Sequence, residues 1–184
     1  MGRIAWQLPL SIALAVLAVV AIGPTAAAIP AIYLAAVTPE LAYVDLRERR
    51  LPDRMTLPGI AVGAVGLAIE GVVTRAVPWV PIVAAVALGT VFLVLALGGG
   101  MGLGDVKLVP VIGLASPTLA IAVVAPLAAF VLGGLVSVVA LARRGRGARI
   151  PFGPFLLAGY AAALVLSAVV QPNAVAAGSA AWIG

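Results

Sequence analysis

The stretch PWVPIVAAVALGTVFLVLALGGGMGLGDVKL, residues 78–108, joins a long apolar run to a glycine-rich segment that ends at an aspartate. Residues 78–97 carry no charged side chain, and a helix of that length rises ~30 Å, the thickness of the hydrocarbon core of a bilayer. Five of the seven residues from 98 to 104 are glycine, and Asp105 follows directly. This stretch therefore predicts a membrane-spanning helix, followed by irregular backbone beside a carboxylate.

The composition of the whole chain agrees with a location in the membrane. Of its 184 residues, 64% are hydrophobic and 9% are charged, whereas soluble domains average roughly 45–50% and about 25%. The other apolar runs cover residues 8–22, 26–44, 57–73, 105–115, 119–142 and 151–170. Lipid offers no hydrogen-bond partner to unpaired backbone groups, so each run is predicted to be a helix. The predicted fold is all-α, a polytopic membrane helix bundle.

The predicted bundle has three parts. Residues 1–25 form an N-terminal transmembrane span, residues 26–170 a core of six helices, and residues 171–184 a tail rich in small residues with no assigned structure. Arg3 and the small residues after the first run also fit a cleaved signal peptide. We favour a retained span because the basic region ahead of the run is weak.

The positive charges predict the orientation of the bundle. Seven alternating spans place ten of the eleven Lys and Arg residues on one side of the membrane and only Arg75 on the other. The ten are Arg3, Arg47, Arg49, Arg50, Arg54, Lys107, Arg143, Arg144, Arg146 and Arg149. By the positive-inside rule their side is cytoplasmic. The net charge of +5 is then a consequence of topology, and we predict no binding of nucleic acid.

The residue types restrict the chemistry that the chain can perform. It contains no cysteine and no histidine, which excludes disulfides, thiolate or imidazole metal ligands, and catalysis by a Ser-His or Cys-His pair. We predict no metal and no cofactor. Acid–base chemistry is left to six carboxylates: Glu40, Asp45, Glu48, Asp53, Glu70 and Asp105.

Topology places two of these carboxylates on the same side of the membrane. Asp45 ends the second apolar run and Asp105 begins the fifth, both on the cytoplasmic side. The short fifth run would span only about 16 Å, about half of a ~30 Å core, so Asp105 would lie deeper than Asp45 if Ser116 and Pro117 reached the outer surface. Either tilted helices or a submerged Ser116–Pro117 turn could bring the two aspartates together.

A carboxylate within the bilayer is costly and usually faces a polar cavity. Two carboxylates that meet in a desolvated site share a proton, so the ionised one can activate water while the protonated one polarises a scissile carbonyl. The glycines would let an extended peptide lie against exposed backbone beside Asp105. Phosphate binding is the competing interpretation, but the sequence has no strand ahead of the glycines and no Gly-Lys-Ser/Thr.

Three motifs resemble one known family, in that family's order. Gly102-Leu103-Gly104-Asp105 resembles the GxGD signature of intramembrane aspartyl proteases, and GDVKL (residues 104–108) continues as in type IV prepilin peptidases. DLRERRLPDRMTLP (45–58) is similar to the family's first-aspartate loop, and IPFGPF (150–155) to the motif at the start of its last helix. The resemblance covers the six spans from about 26 to 170, the catalytic core of the family.

The resemblance implies an aspartic endopeptidase in a bacterial or archaeal plasma membrane, with its active site on the cytoplasmic side. Its substrates would be prepilins or pseudopilins, which lose a short basic leader, typically after a glycine. Asp45 and Asp105 would be the catalytic dyad. The implied substrate-binding residues are Gly102, Gly104, Lys107, Pro151, Phe152 and Gly153. Larger members carry a cysteine-containing N-terminal region linked to N-methylation, so we expect a peptidase without methyltransferase activity.

Three other functions remain as alternatives from the sequence. A proton-coupled transporter could use Asp105 as a relay, although no inverted repeats are visible. A GxGD protease could cut within transmembrane helices, but the stretches 45–58 and 150–155 argue against it. A scaffold subunit without chemistry is the third.

The remaining carboxylates receive structural interpretations. We interpret Asp53 as a loop cap or turn residue and Glu48 as a solvated loop charge. Glu40 would line the cavity or pair with an arginine of another span, and Glu70 would anchor the outer face near Arg75. The partners predicted beyond the substrate are membrane lipids.

Overall fold

Seven α-helices and one short 3₁₀ helix make up the part of the chain that the computed structural model describes, residues 2–144 and 151–170. The α-helices are α1 (Gly2–Ile22), α2 (Ile29–Glu48), α3 (Asp53–Thr74), α4 (Trp79–Leu97), α5 (Leu103–Leu114), α6 (Leu119–Arg144) and α7 (Gly153–Val170), and the 3₁₀ helix Ala26–Ala28 precedes α2. By length and composition α2, α3, α4, α6 and α7 can cross a membrane, and Trp6–Ile22 is a shorter apolar helix. The all-α membrane bundle is therefore confirmed at this level.

The apolar runs 26–44 and 57–73 leave out residues that are helical in the structure. Helix α2 continues through Pro39 to Glu48, and α3 already begins at Asp53, so only residues 49–52 connect them. Arg49 adopts a left-handed conformation (φ 53°) and its N–H bonds to the Asp45 carbonyl, which ends α2. Asp45 thus lies in the last turn of a helix rather than in a loop, and its side chain has a fixed direction.

Helix α5 is too short to cross the hydrocarbon core of a membrane. It has 12 residues, about 18 Å of helix, and the turn that follows it is inside the protein. Ala115 and Ser116 are fully buried. The Tyr160 hydroxyl of α7 donates to the Ala115 carbonyl, and Ser116 Oγ donates to the Ile112 carbonyl at 2.7 Å. The turn after α5 is therefore packed inside the bundle rather than exposed on its surface.

Close helix contacts rest on glycine at two positions. A Cβ on Gly113 would overlap the Ala85 backbone where α5 packs on α4, and a Cβ on Gly159 would overlap the Ala125 carbonyl where α7 packs on α6. Small residues allow this approach of backbones, which stabilises helix pairs in lipid by van der Waals contact. Helix α5 is held between α3 and α4 in this way.

We expect Gly159→Ala to lower the free energy of unfolding by about 1–3 kcal/mol, because the added methyl group overpacks the α6–α7 contact. Gly134→Ala is the matched control, since a Cβ there has nothing within 4 Å and replacing a helical glycine stabilises by roughly 0.5–1 kcal/mol. Thermal unfolding of the two variants in detergent, followed by circular dichroism, measures the difference. Equal melting temperatures would show that the close approach is not required.

Two carboxylates connect helices away from the predicted dyad. Gln7 Nε2 of α1 donates to Glu40 Oε2 at 2.7 Å, so the partner that the structure describes for Glu40 is a glutamine. Glu70 Oε2 accepts the Ala27 N–H at 3.1 Å, which joins the end of α3 to the 3₁₀ helix. Helix α6 continues beyond the apolar run 119–142 to Arg144. Residues 145–150 and the predicted tail 171–184 lie outside the described residues.

Candidate active site

Asp45 is fixed by the first residue of α7. The Gly153 N–H donates to Asp45 Oδ2 at 3.0 Å, although the two residues are 108 positions apart. The first N–H groups of a helix have no partner within it, so the start of α7 has a donor to give. Asp45 is only 5% exposed. A Cβ on Gly153 would lie 2.7 Å from Asp45 Oδ2, so this contact requires glycine.

Asp105 lies in the first turn of α5. Gly102 has extended backbone (φ −78°, ψ 143°) and precedes the first helical residue. The Asp105 N–H donates to the Gly102 carbonyl at 3.1 Å, and a Cβ on Gly102 would lie 3.5 Å from Asp105 Oδ2. Asp105 is 7% exposed. A carboxylate in the first turn also interacts favourably with the positive end of the helix dipole.

The two aspartates come together at one end of the bundle. Both are buried, and a charge–charge interaction acts between them. Asp45 accepts a hydrogen bond from the Gly153 N–H, and the Asp105 carboxylate lies beside Gly102. Within residues 2–144 and 151–170, no group of three or more acidic side chains converges on a metal-sized space. The arrangement is thus a pair of oriented carboxylates, suited to acid–base chemistry.

Leu51 lies between the two aspartate motifs and was not singled out by the sequence. Its Cβ lies 3.1 Å from the position that a Cβ on Gly104 would take, and its Cδ2 lies 3.2 Å from the corresponding position at Gly153. The side chain is 7% exposed. The sequence feature that could have indicated its burial is an apolar residue in the middle of the charged stretch 45–56. Leu51 therefore packs the α2–α3 connection against both motifs.

Lys107 joins α5 to α3 through an ion pair. Its Nζ lies 2.7 Å from Asp53 Oδ1 and 2.9 Å from Asp53 Oδ2. The side chains of Lys107 and Asp53 are 41% and 54% exposed. Asp53 is the first residue of α3, and its predicted role as a loop cap or turn residue stays a prediction. A role for Lys107 in binding substrate stays a prediction.

We expect Lys107→Met and Asp53→Asn to change the free energy of unfolding by less than about 1 kcal/mol each, because solvent screens an exposed ion pair. A double-mutant cycle measured by thermal unfolding isolates the energy of the pair. A coupling energy above about 2 kcal/mol would instead assign the pair a main share in holding α3 and α5 together.

Phe152 packs into a cluster that contains all four phenylalanines of the chain. Its ring centroid lies 5.2 Å from that of Phe130, 6.5 Å from that of Phe92 and 6.3 Å from that of Phe155. Gly133 provides the space for the Phe152 ring, because a Cβ at position 133 would lie 2.9 Å from that ring. The cluster joins the start of α7 to α4 and α6, and so supports the backbone that holds Asp45. Contacts of Phe152 or Pro151 with substrate stay predictions.

Comparison with known proteins gives one match. A family model described as the type IV leader peptidase family matches residues 31–167. No curated protein and no solved structure matches the chain. The matched segment includes both aspartates, Gly102, Leu51 and Gly153, and reaches from α2 into α7. The residues that form the site thus lie within the matched segment.

Proposed function

Because the chain belongs to the type IV leader peptidase family, we propose that Asp45 and Asp105 are its catalytic dyad and that it removes the leader from prepilins or pseudopilins. Membership of the family implies an aspartic peptidase. The observation that supports the dyad is the burial of both carboxylates at one end of the bundle, Asp45 bonded to the Gly153 N–H and Asp105 beside Gly102. Such preorganisation is what acid–base catalysis requires.

In the proposed reaction the two carboxylates share one proton. The ionised carboxylate takes a proton from water, and the water oxygen attacks the scissile carbonyl carbon. The protonated carboxyl group donates a hydrogen bond to the carbonyl oxygen, which takes up negative charge. The tetrahedral intermediate then collapses, the C–N bond breaks, and the leaving amine receives a proton from the dyad. The hydrogen bond from Gly153 fixes one oxygen of Asp45, which leaves the other for water.

The surroundings of the dyad suit an extended peptide. Gly98, Gly99, Gly100 and Gly102 are exposed beside Asp105, and glycine lets another backbone approach closely. Gly102 and Gly104 would form one wall of the substrate site, and the segment from Pro151 to Gly153 the other. The charge topology puts this end of the bundle at the cytoplasmic face of the prokaryotic plasma membrane, where a basic leader remains.

Mass spectrometry of a prepilin co-expressed with the protein tests this function. With the wild-type chain we expect the prepilin mass to fall by the mass of its leader, and without the chain we expect no change. A prepilin whose last leader residue is changed from glycine to valine is the substrate control and should stay intact. An unprocessed wild-type prepilin, in cells where the protein is folded in the membrane, would contradict the proposal.

A further inference from the structure

A cavity of about 620 Å³ opens at the end of the bundle opposite to the aspartates. Its walls are apolar residues of α3, the α3–α4 turn and α4, and its floor is the last residue of α5. The lining includes Ala64, Ala68, Arg75, Val77, Ile82 and Leu114. The only charged group among the lining residues is the Arg75 guanidinium. The cavity therefore has the composition of a binding site for an apolar ligand with one anionic end.

The short length of α5 explains why this space exists. Helix α5 packs between α3 and α4, which hardly contact one another, and it stops at Leu114. Leu114 closes the cavity below, since its Cδ1 lies 2.8 Å from where a Cβ on Gly63 would be. From Gly63 to Arg75 helix α3 rises about 18 Å, which is close to one leaflet of a ~30 Å hydrocarbon core.

Two residues near the mouth of the cavity are of types found at the membrane–water interface. Trp79 at the start of α4 is 63% exposed, and tryptophan is typical of the membrane–water interface. Arg75 is exposed next to it. Across residues 2–144 and 151–170 the one ion pair is Lys107–Asp53, so Arg75 has no acidic partner there. Charge topology assigns this end to the outer face.

We propose that the cavity binds one acyl chain of an anionic phospholipid of the outer leaflet, with its phosphate on Arg75. An apolar cavity in a bilayer is unsuited to ordered water, which needs polar partners. A partner helix does not fit into the cavity. Its volume of 620 Å³, divided by a length of about 18 Å, gives a mean cross-section of about 34 Å², whereas a helix ~10 Å wide needs ~80 Å². The guanidinium of arginine matches phosphate with two parallel hydrogen bonds.

A photoactivatable lipid locates the site in the wild-type protein. The protein is placed in nanodiscs that contain phosphatidylglycerol with a diazirine in one acyl chain, and crosslinked peptides are mapped by mass spectrometry. We expect crosslinks concentrated on α3 between Ala64 and Val72 and on Leu114. Crosslinks spread evenly over the exposed apolar faces of α4 and α6 would overturn the proposal.

Two variants test the two ends of the lipid separately. Native mass spectrometry of the detergent-solubilised chain, titrated with phosphatidylglycerol, should show one tightly bound lipid. We expect Arg75→Gln to weaken this binding roughly tenfold by loss of a charge-assisted contact, and Ala68→Phe, which fills the cavity, to abolish it. Arg54→Gln at the cytoplasmic end removes the same charge and should bind as wild type does.

Wild-type affinity in both Arg75→Gln and Ala68→Phe would contradict the proposal, and equal loss in Arg54→Gln would contradict the role of Arg75. Thermal unfolding of each variant shows that it is folded, and the crosslinking experiment stands without any variant. Lipid binding is measured without prepilin. If no lipid binds, the proposed peptidase activity is therefore unaffected. If no prepilin is cleaved, the proposed lipid site is unaffected.

Discussion

Asp45→Asn and Asp105→Asn are each expected to lower kcat for leader removal by about 10²–10⁴-fold, the contribution of a positioned acid or base. Asparagine keeps the shape of the side chain, and at position 45 it still offers an oxygen to the Gly153 N–H. It cannot take up or release the proton that the reaction needs. The rate is measured as mature pilin formed per unit time by purified protein in proteoliposomes.

Glu48→Gln is the control for the loss of a carboxylate at the same end of α2. Glu48 is exposed and lies three positions after Asp45, so this variant should cleave at close to the wild-type rate. The Asp45/Asp105 double variant should be little slower than either single variant, because residues that act as a unit are not additive. More than a tenth of the wild-type rate in either single variant would contradict the dyad.

Gly153→Ala is expected to lower the cleavage rate by about 10²-fold, the effect of a misplacement of about 1 Å at a catalytic group. The new Cβ would lie 2.7 Å from Asp45 Oδ2 and 3.3 Å from Asp45 Cγ. Asp45 must then turn away, and its hydrogen bond with the Gly153 N–H is lost. Asp45 is in the last turn of a helix, so its backbone cannot move freely to compensate.

Gly134→Ala is again the control, because α6 has open space at that position. It should leave the cleavage rate unchanged. A further comparison separates catalysis from folding: Gly153→Ala should lose activity at temperatures where circular dichroism shows a folded bundle. Wild-type activity in Gly153→Ala would show that the position of Asp45 does not depend on the start of α7.

The apolar runs predict the helices of the bundle because membrane helices are selected by length and hydropathy alone. The same criterion fails at the end of α2. Residues 45–48 are too polar to count as part of an apolar run, yet they continue the helix until Arg49 takes a left-handed conformation. Polar residues at the membrane boundary can extend a helix into the headgroup region, so hydropathy places the end too early.

The topology of positive charge predicts that Asp45 and Asp105 lie on one face, but it carries no information on depth. The missing fact is a contact between distant residues: Tyr160 bonds to the Ala115 carbonyl and keeps the turn after α5 inside the bundle. The position of Leu51 is not predictable from the sequence for a similar reason. Its packing against Gly104 and Gly153 depends on which helix ends lie close together, and no periodicity in the sequence indicates this.

The glycines of two motifs have a more specific function in the structure than conformational freedom. The Gly153 N–H bonds to Asp45, Gly102 lies beside the Asp105 carboxylate, and Gly104 gives room to Leu51. Gly98, Gly99, Gly100 and Gly102 are exposed. The glycine stretch is thus divided between holding a carboxylate and, as proposed, receiving a peptide.

The most direct test of water activation by Asp45 and Asp105 is cleavage of a purified prepilin in water enriched in ¹⁸O. Wild-type protein, Asp45→Asn and Asp105→Asn are compared in the same proteoliposomes, and the mass of the released leader is measured. The proposed mechanism predicts that the wild-type protein releases a leader with ¹⁸O in its new carboxyl terminus. It predicts no released leader from either variant. Leader release by either variant, or a wild-type leader without ¹⁸O, would contradict water activation by the two aspartates.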